Sequence, residues 1–400
     1  MGTMRLLSPF KRLLLKAASL LIAAAVYLPL MHLLYRPGAA EIHSDAGAAP
    51  MAMRMAARQE RIWTDKSLLG GEIAKMRRAN AEWDFMGRSF LVWSLGNLSL
   101  RDPTRAGSSL AAMDNIIDET LRLEREGGMY VFLMGYAQAK PWVQKPERSI
   151  FIDGEIALML GVRCMVRPRQ DYLDELRRRR VDVMAERMEA SPSLSCESYP
   201  DECWTFCNTT ALAAMRVSDR LLDTDHSQLI RRWITYSKAN LIDPRTGMLI
   251  SAYTLDGKAI YRPEGSTIWH VCHCLCVLDE QFGREQYELA KKQLADSIVG
   301  FGYAREWPAG IEDQMDVDSG MVVPVLGASV ASSGLACLAA GTYGDVDFLC
   351  GLVTTIRLGG FPIARDGELW HAGANQVGDA VLLYGLTVGP IWQKLKEGGK

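Results

Sequence analysis

The sequence lacks an excess of charge of either sign. Its 45 lysine and arginine residues are balanced by 47 aspartate and glutamate residues, which leaves a formal net charge of -2 over 400 residues. Nucleic-acid-binding domains usually carry a strongly basic surface, so nucleic acid is not predicted as a partner. The four arginines at 177–180 lie among carboxylates at helical spacing, which favours a solvated helix face over a binding patch.

Motifs that hold nucleotides, nucleophiles or catalytic metals are also missing. The chain has no Walker loop, no glycine-rich dinucleotide fingerprint after a strand, no GxSxG and no HExxH. Each of these motifs places its group by a defined local geometry. We therefore predict a protein that works without a cofactor and without a metal.

Charged residues are absent from positions 17–35, an apolar run interrupted only by a serine, a proline and a histidine. A membrane-spanning helix needs about 20 mostly apolar residues. Basic residues precede the run at positions 5, 11, 12 and 16. This asymmetry predicts a cytoplasmic segment 1–16, a transmembrane anchor 17–35 and a main domain outside the cytoplasm, on the periplasmic side in a bacterium. A cleaved signal peptide is the alternative, because small residues follow the run.

Strand alternation is almost absent from the rest of the chain. Residues 36–55 are rich in alanine, glycine and proline and are predicted to form a linker. Beyond them, apolar residues recur at spacings of three and four, which predicts about a dozen helices. Only residues 249–261, with Asp256-Gly257 between β-forming residues, resemble a hairpin.

Helical hairpins in series build either an open solenoid or a closed barrel. No fixed repeat period is visible, and residues 326–341 are rich in small side chains suited to tightly packed inner helices. The predicted fold is therefore all-α: an (α/α)6 barrel over 56–400 behind an N-terminal transmembrane helix. In such a barrel the loops at one end surround a cavity, so polar residues near helix starts are candidate site residues.

The stretch CESYPDECWTFCN at 196–208 concentrates three cysteines just before a predicted helix. A helix amino terminus lowers the pKa of a thiol, and neighbouring carboxylates raise it. Cys207 and Cys196 are candidates for proton transfer. A disulfide among Cys196, Cys203 and Cys207 is the alternative outside the cytoplasm. A zinc site is disfavoured, because the spacing contains only one short cysteine pair.

Glu155 is a lone carboxylate on a helix that is apolar on nearly every side. A buried carboxylate without a partner is costly, so a buried Glu155 should have a partner or a raised pKa, and either marks a functional site. The alternative is that Glu155 lies on a hydrated side of the helix. Asp153 beside it is interpreted as a helix cap.

Further candidates lie at junctions between loops and helices. His270 begins HVCHCLC, whose cysteines are expected to pack in the core. Asp316 and Asp318 precede a helix, where they act either as caps or as substrate ligands facing the cavity. His371 occupies a similar junction before the last predicted helix.

Residues 200–251 resemble the linalool dehydratase/isomerase family. The shared features are Pro-Asp, Cys-Asn opening a helix, Asp-Arg-Leu, Thr-Asp, a tryptophan in the next helix, and Leu-Ile-Asp-Pro followed by glycine. FIDGEIALMLG upstream and DVDSGMVVPVLGASV downstream are similar in placement. The resemblance covers 75–395 loosely and 200–251 well.

The resemblance implies an (α/α)6 barrel, often oligomeric, in an exported and cofactor-free enzyme. Such an enzyme dehydrates or isomerises an allylic terpene alcohol through cysteine, histidine, aspartate and tyrosine side chains. Cys207 matches the second family cysteine. Cys196 matches the first, although two extra residues separate the pair, so Cys203 is an alternative partner.

Other positions depart from the family pattern. Glu155 stands where the family has its catalytic histidine. Ser266 falls at the family tyrosine near the hairpin, and Met86 lies near the position of its amino-terminal tyrosine. Asp84 is the counterpart of the family aspartate. The resemblance thus implies the fold more strongly than the linalool reaction.

The first functional hypothesis is a hydro-lyase or isomerase acting on a terpenoid-like or other apolar alcohol or alkene. Cys207 and Cys196 would handle protons, with Glu155 as their partner or as the acid itself. The aromatic side chains predicted to stabilise positive charge on the substrate are Trp204, Phe206 and Trp269. A small apolar substrate, the membrane and a second copy of the chain are the partners this hypothesis implies.

Two other functions are compatible with the same residues. A carbohydrate-active enzyme would use Glu155 with Asp316 or Asp318 as its carboxylate pair, and their separation would set the stereochemical outcome. A non-enzymatic, membrane-tethered binding protein would instead use the cysteines in disulfides.

Overall fold

A computed structural model describes residues 9–44, 47–311 and 320–397. Its α-helices are α1 (Pro9–Leu30), α2 (Ala39–Ile42), α3 (Pro50–Thr64), α4 (Lys66–Leu68), α5 (Ala74–Ala79), α6 (Ala81–Arg101), α7 (Ala106–Gly127), α8 (Ile150–Val166), α9 (Gln170–Asp174), α10 (Asp182–Glu189), α11 (Thr205–Leu222), α12 (Ser227–Asn240), α13 (Gly265–Leu278), α14 (Glu280–Leu294), α15 (Val330–Tyr343), α16 (Val346–Gly360), α17 (Gln376–Thr387) and α18 (Pro390–Glu397). Short 3-10 turns are Met31–Leu34, Pro103–Arg105, Met129–Val131 and Gly135–Gln138, and π-helical turns are Leu69–Ile73 and Glu175–Val181.

The strands are short and antiparallel. They are β1 (Cys203–Trp204), β2 (Ala252–Tyr253), β3 (Ala259–Tyr261), β4 (Ala295–Ile298), β5 (Phe301–Ala304), β6 (Val322–Val323), β7 (Ala328–Ser329), β8 (Pro362–Arg365) and β9 (Glu368–His371). They pair as a sheet β1-β2-β3 and three separate hairpins. The hairpin predicted from Asp256-Gly257 is β2-β3, and the other pairs were not predicted.

Six described helices form a closed inner ring. Helices α6, α8, α11, α13, α15 and α17 each pack against the next, and α17 packs against α6. An apolar surface on all sides explains why α8 and α13 are inner. Helices α7, α14 and α16 cover α6, α13 and α15 from outside, and α12 follows α11 in the same alternation. The predicted (α/α)6 barrel is confirmed.

The outer layer is completed from the amino-terminal side. Helix α3 packs on α17, and its Met51, Ala52 and Met55 are buried in the core. The barrel therefore includes residues from Pro50 onward, inside the segment predicted as a linker, because these side chains bury an apolar helix face.

The arginine run is divided between the surface and the interior. Arg180 is buried and pairs with Glu124 at 2.5 Å and with Asp153 of α8 at 2.8 Å. Asp153 also pairs with Arg148 at 2.6 Å. The N-cap of α8 is Ser149 and Asp153 lies inside the first turn, so Asp153 joins α8 to its neighbours and the predicted cap is wrong. The predicted solvated face is found for 177–179 but not for Arg180.

The carboxyl-terminal ends of the inner helices are closed by α18, which packs against α6, α11 and α13. The Trp392 indole donates to the His273 carbonyl at 3.2 Å, and the Ile391 amide donates to Asn97 at 3.0 Å. Each described strand lies in a loop before an inner helix. The amino-terminal ends of the inner helices therefore form the mouth of the barrel.

A single apolar helical span precedes the barrel in the described residues. It runs over Pro9–Leu34, and the apolar window within it is not buried by the rest of the chain. Its length and composition suit a membrane-crossing helix, a property shared by signal sequences. The helix begins earlier than the predicted 17–35, so Lys11, Arg12 and Lys16 lie on its first turns.

Candidate active site in the barrel lumen

Glu155 projects from the second turn of α8 into the lumen. Its carboxyl group is fully buried, Oε2 accepts a hydrogen bond from the Ser89 hydroxyl of α6 at 2.5 Å, and Oε1 has no hydrogen-bond partner. Burial raises the pKa of Glu155 to about 8, and the Ser89 hydrogen bond only partly opposes this effect. The structure thus places Glu155 in the interior and not on a hydrated side of the helix. With this pKa the carboxyl group is mainly protonated at neutral pH.

A glycine next to Glu155 sets the spacing of the ring here. A Cβ on Gly154 would lie 3.2 Å from the backbone nitrogen and the Cβ of Ala211 in α11. Helix α8 therefore approaches α11 closely at this level. The close approach places Glu155 beside the first turns of α11.

His270 enters the same lumen from α13. Its Nε2 lies 2.8 Å from the Thr210 hydroxyl and 3.4 Å from the Cys274 sulfur. The Thr210 hydroxyl already donates its proton to the Phe206 carbonyl at 2.9 Å, so it accepts from His270, and Nε2 carries the imidazole proton. Nδ1 then carries a free lone pair, and this atom is buried without a hydrogen-bond partner.

His270 is held neutral by its surroundings. Burial lowers the pKa of His270 to about 3, so the imidazole is unprotonated on Nδ1 over the physiological range. The lumen thus contains a neutral carboxylic acid and a neutral imidazole. This is the protonation pattern of a general acid and a general base before reaction.

Cys274 lies beside His270 on the inner side of α13. The Cys274 thiol lies beside His270 Nε2. Burial raises the pKa of Cys274, its side-chain contacts with the Thr209 and Thr210 hydroxyls oppose this, and Glu155 is among the groups whose charge raises it further. The acid, the thiol and the imidazole are thus all buried inside the ring of inner helices.

Aromatic rings form the wall around His270. Phe206 stacks on the imidazole at a centroid distance of 3.9 Å, and Trp93 and Phe90 lie at 6.1 and 5.9 Å. The faces of such rings carry negative electrostatic potential and stabilise cations. Of the three predicted aromatic residues Phe206 alone stacks on His270, and Phe90 and Trp93 were not predicted.

A second histidine lies deeper in the lumen. His273 Nδ1 lies 2.7 Å from the Thr342 hydroxyl, and Nε2 lies 2.9 Å from the Tyr384 hydroxyl. Burial lowers the pKa of His273 well below its ordinary value. Both ring nitrogens have partners, so His273 joins α13 to α15 and α17 and forms the floor below His270.

Cys207 lies near Glu155, but Cys196 lies on another side. Burial raises the pKa of Cys207 above its ordinary value, a hydrogen bond from Ser198 opposes this, and the charges of Glu155 and Glu82 raise it further. The helix amino terminus does not outweigh burial. The thiol is therefore a proton donor or hydrogen-bond donor at neutral pH rather than a thiolate.

The surroundings of Cys196 are structural. Its amide donates to the Asn208 side chain at 2.9 Å, and its sulfur lies 4.0 Å from the Met184 carbonyl of α10. Burial raises the pKa of Cys196 to about 12, although Arg187 lowers it. All nine cysteines are buried free thiols, so the predicted disulfide alternative is not found here.

Asp84 is occupied by ion pairs. Its carboxylate accepts from Arg77 at 2.8 Å and from Arg88 at 3.1 Å. Arg88 is itself buried against the Trp63 ring, 4.9 Å from its centroid. Because both partners neutralise Asp84, it holds Arg88 in the wall and does not meet Glu155 as a second acid.

Two tryptophans predicted at the site lie outside the lumen. The Trp269 indole donates to Ser332 at 3.0 Å, and its ring faces Tyr287 and Phe348 of the outer layer. Residue spacing near a helix start did not reveal which side of α13 it occupies. Trp204 stacks on Tyr261 near the mouth at 5.4 Å.

The remaining predicted residues have hydrogen-bond partners outside the lumen cluster or lie outside the described residues. The Ser266 hydroxyl donates to Glu306 at 2.5 Å. His371 Nδ1 lies 2.7 Å from Asp379, and its ring lines a cavity of about 60 Å³ between α3, β9 and α17. Asp316 and Asp318 lie outside the described residues.

The described residues show no metal-binding cluster, and their larger cavity lies away from Glu155. Among the described residues, no group of three or more histidine, cysteine or acidic side chains is placed to hold a metal ion. A larger cavity of about 470 Å³ lies on the outer side of α8 and is lined by Arg148, Asp153 and the arginine run. It is separated from Glu155 by the body of the helix.

The closed ring and its buried acid–base cluster define an (α/α)6-barrel protein with a candidate active site in its lumen. A family model described as "Linalool dehydratase/isomerase" matches residues 175–377, just over half of the chain. The chain belongs to the linalool dehydratase/isomerase family. None of the curated proteins matches the sequence.

Solved structures share the fold at low sequence identity. The GH76A alpha-1,6-mannanase from Salegentibacter sp. HEL1_6 is 11% identical, with a TM-score of 0.54 over 86% of this chain and 99% of that chain. A GH76 alpha-mannanase of Bacteroides thetaiotaomicron is 13% identical, with a TM-score of 0.48 over 78% and 87% of the two chains. At such identity the first likeness supports the barrel and says nothing of the reaction.

Proposed function

We propose that the protein is a cofactor-independent hydro-lyase or isomerase acting on a terpenoid-like or other apolar alcohol or alkene. The observation that carries the proposal is the pair of buried, uncharged groups Glu155 and His270, each with one unpartnered polar atom. Their pKa values are shifted in opposite directions, to about 8 and about 3. A raised pKa of the carboxyl group and a lowered pKa of the imidazole keep the first group protonated, as a general acid requires, and the second unprotonated, as a general base requires.

In the proposed dehydration, protonated Glu155 gives its proton to the hydroxyl of the substrate, and the carbon–oxygen bond breaks to release water. Positive charge develops on the allylic carbons and is stabilised by the faces of Phe206 and Trp93. His270 Nδ1 removes a proton from the neighbouring carbon, and the new carbon–carbon double bond forms. The Ser89 hydroxyl stabilises the resulting Glu155 carboxylate.

The cycle closes when the proton returns from His270 to Glu155. The released water can carry that proton from His270 Nδ1 to Glu155, which restores the neutral base and the neutral acid. Re-addition of the water at the other allylic carbon, by the reverse steps, gives an isomeric alcohol. One cluster can therefore support both dehydration and isomerisation.

Cys207 is proposed to assist Glu155. The charges of Glu155 and Glu82 act on its protonated thiol, and the proposed role is a hydrogen bond from this thiol to the carboxylate that forms during the reaction. The catalytic roles of Cys196 and Asp84 rest on the family resemblance alone. Their contacts favour structural roles for both.

The aromatic wall and the uncharged cluster favour an apolar substrate. A glycoside hydrolase needs a protonated acid together with an ionised carboxylate at a set separation. Glu155 is instead bonded to a serine. The glycan-active alternative, with Asp316 or Asp318 as the second carboxylate, has support only from the shared fold.

We further propose that Pro9–Leu34 anchors the barrel in a membrane. Lys11, Arg12 and Lys16 on the first turns would remain on the cytoplasmic side, and the barrel would lie on the other side. Assembly of several copies is proposed from the family resemblance.

The proposal is tested with purified full-length protein in lipid nanodiscs. Linalool and other tertiary allylic alcohols are supplied, alpha-1,6-linked mannan is tested in parallel, and products are resolved by gas or liquid chromatography with mass spectrometry. We expect an alkene and water, or an isomeric alcohol, from at least one allylic alcohol. Cleavage of the mannan without alcohol turnover would favour the carbohydrate-active alternative, and saturable binding without turnover of either would favour a binding protein.

A further inference from the structure

The carboxyl end of the apolar span contacts one hairpin of the barrel. The His32 and Tyr35 rings lie against Phe301 of β5, at centroid distances of 6.3 and 6.1 Å. A Cβ on Gly300, in the turn between β4 and β5, would lie 2.4 Å from the His32 ring. The turn of this hairpin is therefore positioned where the apolar span ends.

The β4-β5 turn has an unusual sequence for its shape. Val299 and Gly300 both have positive φ, +43° and +87°, a backbone that favours Asn-Gly or Asp-Gly. The β8-β9 hairpin has the same two-residue turn, with φ of +52° and +80°, and uses Asp366-Gly367. A β-branched residue in this conformation is strained, so Val299 costs conformational free energy that an aspartate would not.

The strained turn also exposes apolar surface. The side chains of Ile298 and Val299 are 43% and 47% exposed, and we refer to these two residues as the apolar tip. An exposed valine in a strained turn gives no advantage to a barrel surrounded by water. An exposed valine is an advantage where the apolar tip contacts an apolar phase such as lipid.

The hairpin and the span are fixed to the same side of the barrel. The Thr355 hydroxyl of α16 donates to the Gly302 carbonyl at 2.5 Å. The Cys350 thiol donates to the Pro37 carbonyl at 3.4 Å, and Glu41 pairs with Arg357 at 2.5 Å. Because α16 holds both segments, the apolar tip keeps a set position relative to α1.

We propose that the apolar tip inserts into the boundary between lipid headgroups and acyl chains beside α1, so that the α16 side of the barrel rests on the bilayer. This inference rests on the proposed membrane anchor. His32 and Tyr35 lie at the same level, where amphipathic rings favour the membrane interface. Two attachment points, one spanning and one superficial, hold the barrel in one orientation on the lipid surface.

The test uses an environment-sensitive NBD label on the full chain in nanodiscs of phosphatidylcholine and phosphatidylglycerol. The label is attached at Val299→Cys or, in a second variant, at Ile298→Cys. The native thiols are buried, and the unsubstituted chain measures how far they are labelled. Asp366→Cys, in the matching turn, is the comparison site. We expect blue-shifted emission and quenching by lipid-borne nitroxide at 298 or 299, and neither at 366.

A label at Leu21→Cys in α1 separates the two proposals. If the label at position 21 contacts lipid but the labels at 298 and 299 behave like the label at 366, insertion of the tip is overturned and the anchor stands. No lipid contact at 21 would overturn the anchor and the insertion together. Val299→Asn, which suits the turn, is expected to raise the melting temperature in detergent and to reduce quenching at Ile298→Cys. Unchanged quenching in that variant would also contradict the proposal.

Discussion

Replacing Glu155 with glutamine is expected to stop turnover and, at neutral pH, to stabilise the barrel. Burial raises the pKa of Glu155 from its ordinary value of 4.5 to about 8. Between these values the folded chain binds a proton that the unfolded chain has lost, so the free energy of unfolding falls as pH rises, by about 1.4 kcal/mol per pH unit. Over the 2.5 pH units from 4.5 to 7 this amounts to about 3 kcal/mol.

Glutamine does not titrate, and its side-chain oxygen can still accept the hydrogen bond from Ser89. The difference in unfolding free energy between Glu155→Gln and the parent should therefore be near zero at pH 4.5 and grow to about 3 kcal/mol at pH 7. Turnover should fall by roughly 100- to 10,000-fold, the usual contribution of a general acid. Urea denaturation at several pH values and a product assay measure both effects.

Glu285→Gln is the matched control, because Glu285 is an exposed glutamate on α14. It should change neither the slope of stability with pH nor turnover. A stability difference for Glu155→Gln that stays constant between pH 5 and 8 would show that Glu155 is not held protonated. Parental turnover in the same variant would refute its role as the acid.

Three further outcomes follow from the surroundings of the other candidates. Cys207→Ala should reduce turnover more than Cys196→Ala, because only Cys207 of the two lies near Glu155. Cys196→Ala should instead cause the larger drop in melting temperature. Equal losses of turnover in steady-state assays would contradict this difference in roles. Asp84→Asn should lower the free energy of unfolding by about 3–5 kcal/mol, since it leaves buried Arg88 unpaired. Turnover per folded molecule should persist. Urea denaturation measures the first effect, and rates normalised to the folded protein would fall only if Asp84 were catalytic. Thiol titration of the unreduced, denatured chain should find nine free thiols, and a lower count would indicate a disulfide.

The sequence predicted the architecture because helical periodicity and small residues report the packing of each helix directly. It also pointed to Glu155, which the structure buries, since a lone carboxylate on an apolar helix is visible without coordinates. It did not identify Ser89, Thr210 or Tyr384, because their importance arises only where different inner helices meet. A hydroxyl on a helix carries no local signal of the partner that it will contact across a barrel.

Errors in the predicted site have a common physical origin. Proximity to a helix start suggested that Trp269 faces the cavity, but its ring lies on the outer side of α13. Cys196, matched to the first family cysteine, lies beside the Met184 carbonyl of α10. Side-chain direction depends on the angle of each helix in the ring, which neither composition nor spacing specifies. The same limit concealed the apolar tip, whose meaning depends on its contact with the end of the apolar span.

The pH dependence of alcohol turnover by the unsubstituted protein tests most directly whether a neutral acid and a neutral base do the chemistry. Activity requires protonated Glu155 and unprotonated His270, whose pKa values are shifted to about 8 and about 3. We predict that kcat/KM is constant from mildly acidic to neutral pH and declines above about pH 8. A rate that instead rises from pH 7 to 10 would indicate a reaction dependent on a thiolate and would contradict the proposed roles of Glu155 and His270.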